Sequence, residues 1–587
     1  MFDRFSVQQL NCDNQVNNNI CSELIIVAKF FSTGKNKNIC NYQYTNFEFC
    51  PLICRRGTKN ADFGLHSFRI CYLYALNKNL IGDYQESQHN LFLFVSGIKS
   101  IITALLFCII AFTGHAQEMH GFVNSNYAGI TGSYINPTSI LNSKLFLDIT
   151  PFGLHVNIDN NYIFLAKDEY KFSRFFTPGA QFPEHGEDSR AFYDNFNPDL
   201  KDAYSSIRVM GPSGMFAFND QAIGFSSGFR TVVSGQSVPY EVAKFAVEGL
   251  DYSPLHRINF INEHKFRAAG LAFAEIAGTY SRVLYKRNRD HFSAGITIKG
   301  LFGAAGGFGY VENVDYMLPN QDTLIVYNVN GLMGMSLPID YYNNDILVPG
   351  KLFRGSGMGV DIGFAYQKKI MGHSNKGYSM PCEYPYEPYR YRIGLSIIDF
   401  GSIKFKRDAR YLELDEQSTY WADLSRYTYT NLDNLFRTVS YEFSGDSTAL
   451  ITANAFSIWL PAAISLQADF RINKQIYLNG TIVHPLIMSK AQVVRPAQVS
   501  ITPRWETNHF EFAIPFIMYN YKYPRLGLNF RFHKLVIGTD KLGSFFGLSD
   551  FYGLDFYVMF KFSFLKGECR NFDKKFGCGN LEYKQMD

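Results

Sequence analysis

The sequence predicts an all-β protein, namely a transmembrane antiparallel β-barrel of about 14 strands with short periplasmic turns and long extracellular loops. Three observations lead to this prediction. An export signal precedes most of the chain, the composition is rich in aromatic residues and glycine, and apolar and polar residues alternate in segments of about ten residues.

Residues 97–116 are predicted to be a secretory signal peptide. Lys99 supplies a positive charge, and an almost unbroken apolar stretch follows from Ile101 to Phe112. Small residues then stand at the first and third positions before a cleavage point between Ala116 and Gln117. The apolar stretch is shorter than the roughly 20 residues that span a bilayer. A buried core helix is the alternative, but no polar face recurs at helical spacing.

Residues 1–96 differ from the rest of the chain. They hold six of the ten cysteines, show no sustained period, and are followed by no methionine before Met119. An even number of cysteines also fits a disulfide-stapled domain. A folded domain ahead of an export signal has no simple route to an oxidising compartment, so we interpret 1–96 as a wrongly extended start.

Residues 117–587 form the predicted mature protein, with a barrel over 117–565 and a polar tail over 566–587. The chain has 55 Phe and 47 Gly, and its mean hydropathy of −0.11 argues against a bundle of membrane helices. The net charge of +4 and the lack of a Lys/Arg run argue against nucleic acid as a partner.

Period-2 alternation is the main argument for a barrel. It places large apolar residues on one strand face and Gly, Ser or charged residues on the other. A soluble sandwich or propeller with one wet face also alternates, but the number and length of these segments favour the barrel. The clearest segments are Ile223–Phe229, Met358–Tyr366, Ile464–Ile472, Leu526–Phe532 and Leu554–Phe564.

Polar connections separate the predicted strands. Pro239 to Leu250 is predicted to be a short amphipathic helix in a loop, with a barrel plug as the alternative. Short turns at one rim are predicted at Asp159–Asn161, Asn219–Gln221 and Lys286–Asp290. Extracellular loops are predicted at Lys167–Ser206, Glu312–Gly350, Gly372–Arg390 and Asp408–Thr452.

Two segments match catalytic or phosphate-binding motifs, but the strand alternation around them argues against these functions. Gly224–Gly228 matches a nucleophile elbow and Gly355–Gly359 resembles a phosphate-binding loop, but both lie in or at alternating strands rather than before a helix. No Walker A, HExxH or paired CxxC pattern occurs. Cys569 and Cys578 fit a disulfide in the tail, but a metal site needs more ligands. We predict no catalytic residue, no metal and no cofactor.

Charged residues on the predicted lumen face are the candidates for function. One interpretation is that these charges are simply hydrated or paired with one another in a polar lumen. The other is that they form a constriction that selects solutes along a path. Asp469 and Arg471 lie two residues apart on one face and also fit a salt bridge that fills a closed lumen. The candidates are Arg230, Lys299, Asp361, Asp469, Arg471, Arg531, His533, Asp555 and Lys561.

Short motifs give a resemblance to a known family. Tyr127–Gly132 is followed by Asn136-Pro137, and related patterns return at Ile393–Ser396 with Asp399–Gly401 and at Gly538–Asp540 with Gly553–Asp555. The chain resembles a Bacteroidota outer-membrane β-barrel family of unknown function over most of 117–565. It is loosely similar to fatty-acid-transporter-like barrels and to barrels associated with type IX secretion. The resemblance implies location and fold but no substrate.

The sequence therefore predicts a protein of the bacterial outer membrane, in contact with its lipid. A passage for small or hydrophobic solutes is the first hypothesis. The alternative is a non-conducting structural or assembly component of an envelope or secretion complex, which needs a protein partner. A barrel enzyme is the third class, but no Ser/His/Asp-type cluster can be assembled at the extracellular rim.

Overall fold

The strands close into a barrel. The computed structural model describes residues 118–167, 192–250, 252–338, 341, 352–371, 383–422, 424 and 432–567. Within these residues 14 antiparallel strands form one sheet, and the last strand pairs with the first from Leu145↔Leu565 to Asp159↔Gly553. The predicted class and strand number are confirmed. The predicted extension, signal cleavage point and tail cysteines lie outside the described residues.

Several strands consist of two or three segments separated by bulges or breaks. In chain order the strands are β1 Leu145–Asn160, β2 Lys201–Met210 with Ser213–Phe218, β3 Gln221–Val238, β4 Phe266–Arg287, β5 Asp290–Asn320, β6 Thr323–Ser336 with Gly355–Lys369, and β7 Tyr389–Phe405 with Arg410–Trp421. They continue as β8 Ile451–Ala453 with Phe456–Trp459 and Ala463–Arg471, β9 Ile476–Pro485, β10 Gln498–Glu506, β11 Phe510–Ala513 with Phe516–Tyr519, β12 Tyr523–Leu526 with Leu528–Phe532, β13 Leu535–Thr539 and β14 Gly553–Leu565.

Helices are few in the described residues. The α-helices are α1 Ser139–Asn142, α2 Tyr240–Glu248, α3 Leu432–Ser444 and α4 Leu542–Phe545, and 3₁₀ turns lie at Gly129–Tyr134 and Ser253–Leu255. Short strands at Ile163–Phe164 and Tyr193–Asp194 pair with each other in a separate sheet, whereas Asn259–Asn262 pairs with the upper half of β5 in the main sheet. No helix in this part of the chain has the length and apolar character needed to cross a membrane.

The two faces of the wall are sorted as the alternation predicts. On β6, Met358 is 67% exposed and Phe364 is exposed, whereas Asp361 is only 1% exposed. The same order holds on β8, where Leu466 is exposed and Asp469 is buried. Because successive side chains point to opposite faces, the large apolar residues form the outer surface and the polar residues the interior. This is the reverse of a soluble protein.

The wall is much taller on one side. β5 has 31 residues, roughly 100 Å of chain at ~3.3 Å per residue. Its second half pairs with Thr323–Ser336, which in turn pairs with Arg410–Trp421. The predicted loops at Glu312–Gly350 and Asp408–Thr452 are therefore partly wrong, because much of each is strand. This part of the sheet extends beyond the barrel, and one of its faces carries a buried apolar cluster that includes Phe260, Tyr316 and Val326.

The predicted helix at Pro239–Leu250 forms α2 and packs on this extension. The ring of Phe245 lies 6.5 Å from that of Phe260, which lies 5.3 Å from Tyr316. Helix α2 thus belongs to the connection between β3 and β4.

Two connections lie at the opposite rim from the one predicted. Asp159–Asn161 ends β1 at the end with the long connections, whereas the turn after Phe218 lies beside the start of β1. The connection over Gly372–Arg390 joins β6 to β7 at the short-turn end, because Lys368 pairs there with Asp290. Polar composition marks a turn, but only strand order assigns it to a rim.

Candidate functional site in the barrel lumen

The lumen is filled by the chain segment that precedes β1. Residues 118–144, named the plug here, are almost entirely buried, and Phe122 and Ile140 are fully so. The plug starts at Glu118 near the middle of the lumen and descends to Lys144 at the short-turn end. Its backbone folds in tight turns, such as Phe122 N–H to Met119 O at 2.8 Å. Sequence patterns gave no sign of this segment, because its burial depends on contacts with distant strands.

The Tyr127–Gly132 motif anchors the plug to β1 and β14, and such an anchoring contact is called a seat here. Gly129 has a φ of +56°, and a Cβ there would collide with Asp148 Oδ2. That carboxylate accepts from Ile130 N–H at 3.1 Å and from Lys561 Nζ at 2.8 Å. Lys561 also donates to Ala128 O at 2.7 Å. A single buried ion pair thus holds both the wall and the plug.

Asn136-Pro137 is a second seat. Asn136 Oδ1 accepts from Thr138 N–H at 3.0 Å, which fixes the turn before α1. Its Nδ2 donates to Gln467 Oε1 at 2.9 Å and to Phe364 O at 3.2 Å. The two N-terminal motifs of the family resemblance therefore both position the plug.

Acidic side chains of the wall hold the lower plug. Glu511 Oε2 accepts from Ser125 at 2.7 Å and from Arg531 Nε at 3.2 Å. Glu506 Oε1 accepts from Asn126 Nδ2 and from Lys144 Nζ, each at 2.7 Å.

Asp469 is the centre of an adjoining cluster. Its Oδ2 accepts from Tyr389 Oη at 2.5 Å, Arg392 Nη2 at 3.0 Å and Arg504 Nη2 at 3.1 Å. Arg392 also donates to Asn124 O in the plug at 3.1 Å. Asp469 thus holds the Arg392 guanidinium group, which contacts the plug, and the Arg504 guanidinium group, which pairs with Glu506.

Asp399 is the centre of a second cluster, higher in the lumen. It accepts from Arg230 at 3.0 Å through each oxygen, from Lys299 at 2.6 Å and from Arg495 at 2.6 Å. Each of the three cations also pairs with a second carboxylate: Lys299 with Asp361 at 2.8 Å, Arg230 with Glu275 at 3.4 Å, and Arg495 with Glu118 at 2.8 Å. Buried charges persist only when paired in this way.

The upper lumen is closed by residues 486–497, named the inward loop here. Val494 N–H donates to Ser234 Oγ of β3 at 3.0 Å, on the far side of the lumen. Ala491 and Val493 of this loop pack in an apolar cluster with Phe405 and Phe456, whose rings lie 5.5 Å apart. The cavities beside the plug include one of about 30 Å³ lined by Arg392 and Asp469 and another of about 30 Å³ lined by Arg230 and Arg495. Each has room for only a few waters.

A third polar cluster lies below the connection between β13 and β14. Asp555 accepts from His155 Nε2 at 3.0 Å and from Asp540 N–H at 2.7 Å. Burial and the neighbouring Asp555 carboxylate raise the pKa of Asp540 to about 6. Burial lowers the pKa of Lys541 to about 8 although it pairs with Asp159.

The structure brings seven of the nine candidate residues into the interior. They are Arg230, Lys299, Asp361, Asp469, Arg531, Asp555 and Lys561, all buried. The other two lie at turns of the short-turn end. Arg471 donates to Asn473 O at 2.9 Å and does not pair with Asp469. His533 follows the end of β12 with a φ of +49°, and its exposed ring stacks on His509.

Neither residue contributes to the clusters of the lumen, because Arg471 is the last residue of β8 and His533 follows the last residue of β12. Sequence reasoning also missed Arg392, Arg495 and Arg504, which hold the clusters together. Arg504 follows the alternation of β10 and was detectable. Arg495 lies in a loop and was not.

No group of three or more potential metal ligands occurs among the described residues. The arrangement offers ion pairs, hydrogen bonds and a plug, and these features define an occluded fourteen-strand β-barrel.

The chain belongs to the family of unknown function DUF5723, whose model matches residues 137–540, more than half of the chain. No curated protein matches it. Among solved structures it is similar to the toluene transporter TbuX of Ralstonia pickettii, with 10% identity, TM-score 0.35, and 77% of this chain and 99% of that chain covered. The toluene transporter TodX of P. putida has 9% identity, TM-score 0.33, and coverage of 77% and 96%. A FadL homologue of Pseudomonas aeruginosa has 9% identity, TM-score 0.20, and coverage of 77% and 100%.

Proposed function

We propose that the chain is an outer-membrane β-barrel that passes small or hydrophobic solutes, and that the plug must move for passage. The observation that carries this proposal is that the polar lumen is sealed by a separate segment, residues 118–144, and by one loop. The wall itself encloses a tube lined by many polar side chains, with an apolar cluster around Phe405 in its upper part. A segment continuous with the wall at Leu145, and otherwise held by noncovalent contacts that are both polar and apolar, is suited to being displaced.

The outer surface supports a place in the membrane. Large apolar side chains such as Phe225, Ile298 and Phe364 are exposed over neighbouring strands, and contiguous patches of this kind are rare on soluble monomers. A closed barrel also leaves no sheet edge unpaired in hydrocarbon. The short-turn end then faces the periplasm and the tall extension the outside.

The start of the mature chain fits this arrangement. Glu118 pairs with Arg495 inside the lumen, so a protein cleaved between Ala116 and Gln117 begins where the plug begins. This cleavage, the exclusion of residues 1–96 and an origin in Bacteroidota are parts of the proposal. The proposal assigns transport and no catalysis.

A non-conducting component of an envelope complex is the second candidate. The inward loop and the apolar cluster around Phe405 favour it, because they close the lumen above the plug as well. The extension of β5 to β7 then offers a surface for a protein partner.

A pair of variants tests the passage. Asp469→Ala removes the carboxylate that holds Arg392 and Arg504, so we expect the plug to loosen. Since ~1.4 kcal/mol changes an equilibrium tenfold, the open fraction should rise at least about tenfold in planar-bilayer recordings of refolded 117–587. Arg471→Ala is the control, because Arg471 bonds only a turn carbonyl, and it should leave the recordings unchanged. Silence from a folded Asp469→Ala barrel would favour the non-conducting component.

A further inference from the structure

A pocket at the short-turn end lies between the plug and the wall. Its cavity of about 50 Å³ exceeds the ~15 Å³ needed for one water. Leu141, Asn142 and Ser143 of the plug form one side. Strands β4, β5 and β6, the turn at Asn219 and Asp220, and residues 384–387 form the other. This rim pocket is separate from the two cavities beside Asp469 and Arg495.

Side chains of neighbouring strands place donors around the rim pocket. Lys286 of β4 stands opposite His291 of β5, which stands opposite Gln367 of β6. Lys369, two residues after Gln367, lies on the same strand face. Lys566, just after β14, lines the pocket beside the plug.

These donors are incompletely used. Lys369 Nζ donates to Glu387 O at 2.9 Å, and Lys566 Nζ donates to Leu141 O at 2.8 Å. Neither ammonium group has a salt bridge among the described residues. Gln367 is 2% exposed, and its Nε2 has no hydrogen-bond partner there. A buried donor without an acceptor is costly.

The carboxylates nearby do not neutralise the pocket. Asp220 accepts from Lys286 at 3.0 Å, and Glu387 lies 3.7 Å from His291 Nδ1. Three lysines against two carboxylates leave an excess positive charge. Burial lowers the pKa of Lys566 to about 8, as expected for a cation with insufficient counter-charge.

We propose that the rim pocket binds one oxyanion group of the phosphate class, held by Lys286, Lys369, Lys566 and the Gln367 amide. Several donors arriving from different strands match the three or more acceptor oxygens of such a group better than the two of a carboxylate. The source is free phosphate or the phosphate of a lipid headgroup. Because plug residues line the pocket, the bound group would bridge the plug and the wall.

Calorimetric titration of refolded 117–587 with inorganic phosphate tests this proposal, in a phosphate-free detergent at constant ionic strength. We expect saturable binding, weakened about tenfold by Lys369→Met or Lys566→Met, each of which removes a charged donor. Lys566 lies beyond the last strand, so its replacement leaves the barrel intact. Lys368→Met is the matched control, because Lys368 lies on the opposite face and pairs with Asp290 at 2.7 Å. It should change the affinity less than about twofold.

A second titration with short-chain phosphatidic acid separates the sources. If both inorganic phosphate and phosphatidic acid bind, and Lys369→Met abolishes both, the site takes a free oxyanion. If only phosphatidic acid binds, the site takes the phosphate of a lipid headgroup. No saturable binding of either probe by the folded barrel would overturn the proposal. Equal affinities for wild type, Lys369→Met and Lys566→Met would overturn it as well.

Discussion

At the scale of residues, the interior is organised by single carboxylates that each serve several cations. Asp399 accepts from Arg230, Lys299 and Arg495, and it adopts a φ of +54° at the point where β7 meets the inward loop. Breaking a buried network by removing one partner is costly, because the remaining charges stay desolvated.

We therefore expect Asp399→Ala to lower the free energy of unfolding by about 3–5 kcal/mol, because it leaves three buried cations short of a partner. Urea unfolding in detergent, followed by heat-modified gel migration, measures the change. Asp290→Ala is the control, since Asp290 and Lys368 are each about one third exposed, and it should cost less than about 1 kcal/mol. Equal losses in the two variants would contradict the role given to Asp399.

The sequence predicts which face a residue occupies better than it predicts the partner. Alternation placed Asp469 in the interior, but its partners Arg392 and Arg504 lie on two other strands. Arg471, its neighbour in the pattern, contacts a turn instead. Partners across the lumen depend on strand order and register, which a period of two does not encode.

At the scale of elements, the plug is the part of the chain that sequence patterns missed. Its apolar residues follow neither the period of 2 of a strand nor the period of 3.6 of a helix. Its hydrogen bonds join it to residues hundreds of positions away in the chain, such as Ser125 to Glu511. Single residues of its motifs are nevertheless explained by the geometry of the plug. Gly129 is required by its positive φ and by the Asp148 carboxylate that occupies the space of a Cβ.

We expect Gly129→Ala to unseat the plug, because the new methyl group collides with Asp148 and strains the backbone. Hydrogen exchange of residues 118–144 should become faster at least about tenfold, which corresponds to ~1.4 kcal/mol. Gly278→Ala is the matched control, since a Cβ at Gly278 has no atom within 4 Å. Unchanged protection of the plug in Gly129→Ala would show that this seat does not hold it.

At the scale of the whole molecule, the barrel follows from the period and the number of its segments. The count of 14 strands was predictable because the alternating segments are bounded by polar turns and can be counted as hairpins. The end of the barrel at which each connection lies was less predictable. The connection between β6 and β7 is long but lies at the short-turn end, and the hairpin of β5 and β6 is strand where its polar residues indicated a loop.

The central claim is that solutes pass only when the plug moves. Asn124 of the plug donates to Thr481 of β9 at 2.8 Å, and a disulfide between cysteines introduced at these two positions, its formation checked by mass spectrometry, would lock the plug. The protein for this test is residues 117–587 with Asn124→Cys and Thr481→Cys, and with Cys382, Cys569 and Cys578 replaced by serine.

The measurement is the single-channel conductance of this protein in a planar bilayer, oxidised and then reduced. We predict opening steps in the reduced protein and none in the oxidised protein. Equal conductance in the two states would contradict a mobile plug, and silence of the folded, reduced barrel would contradict a passage.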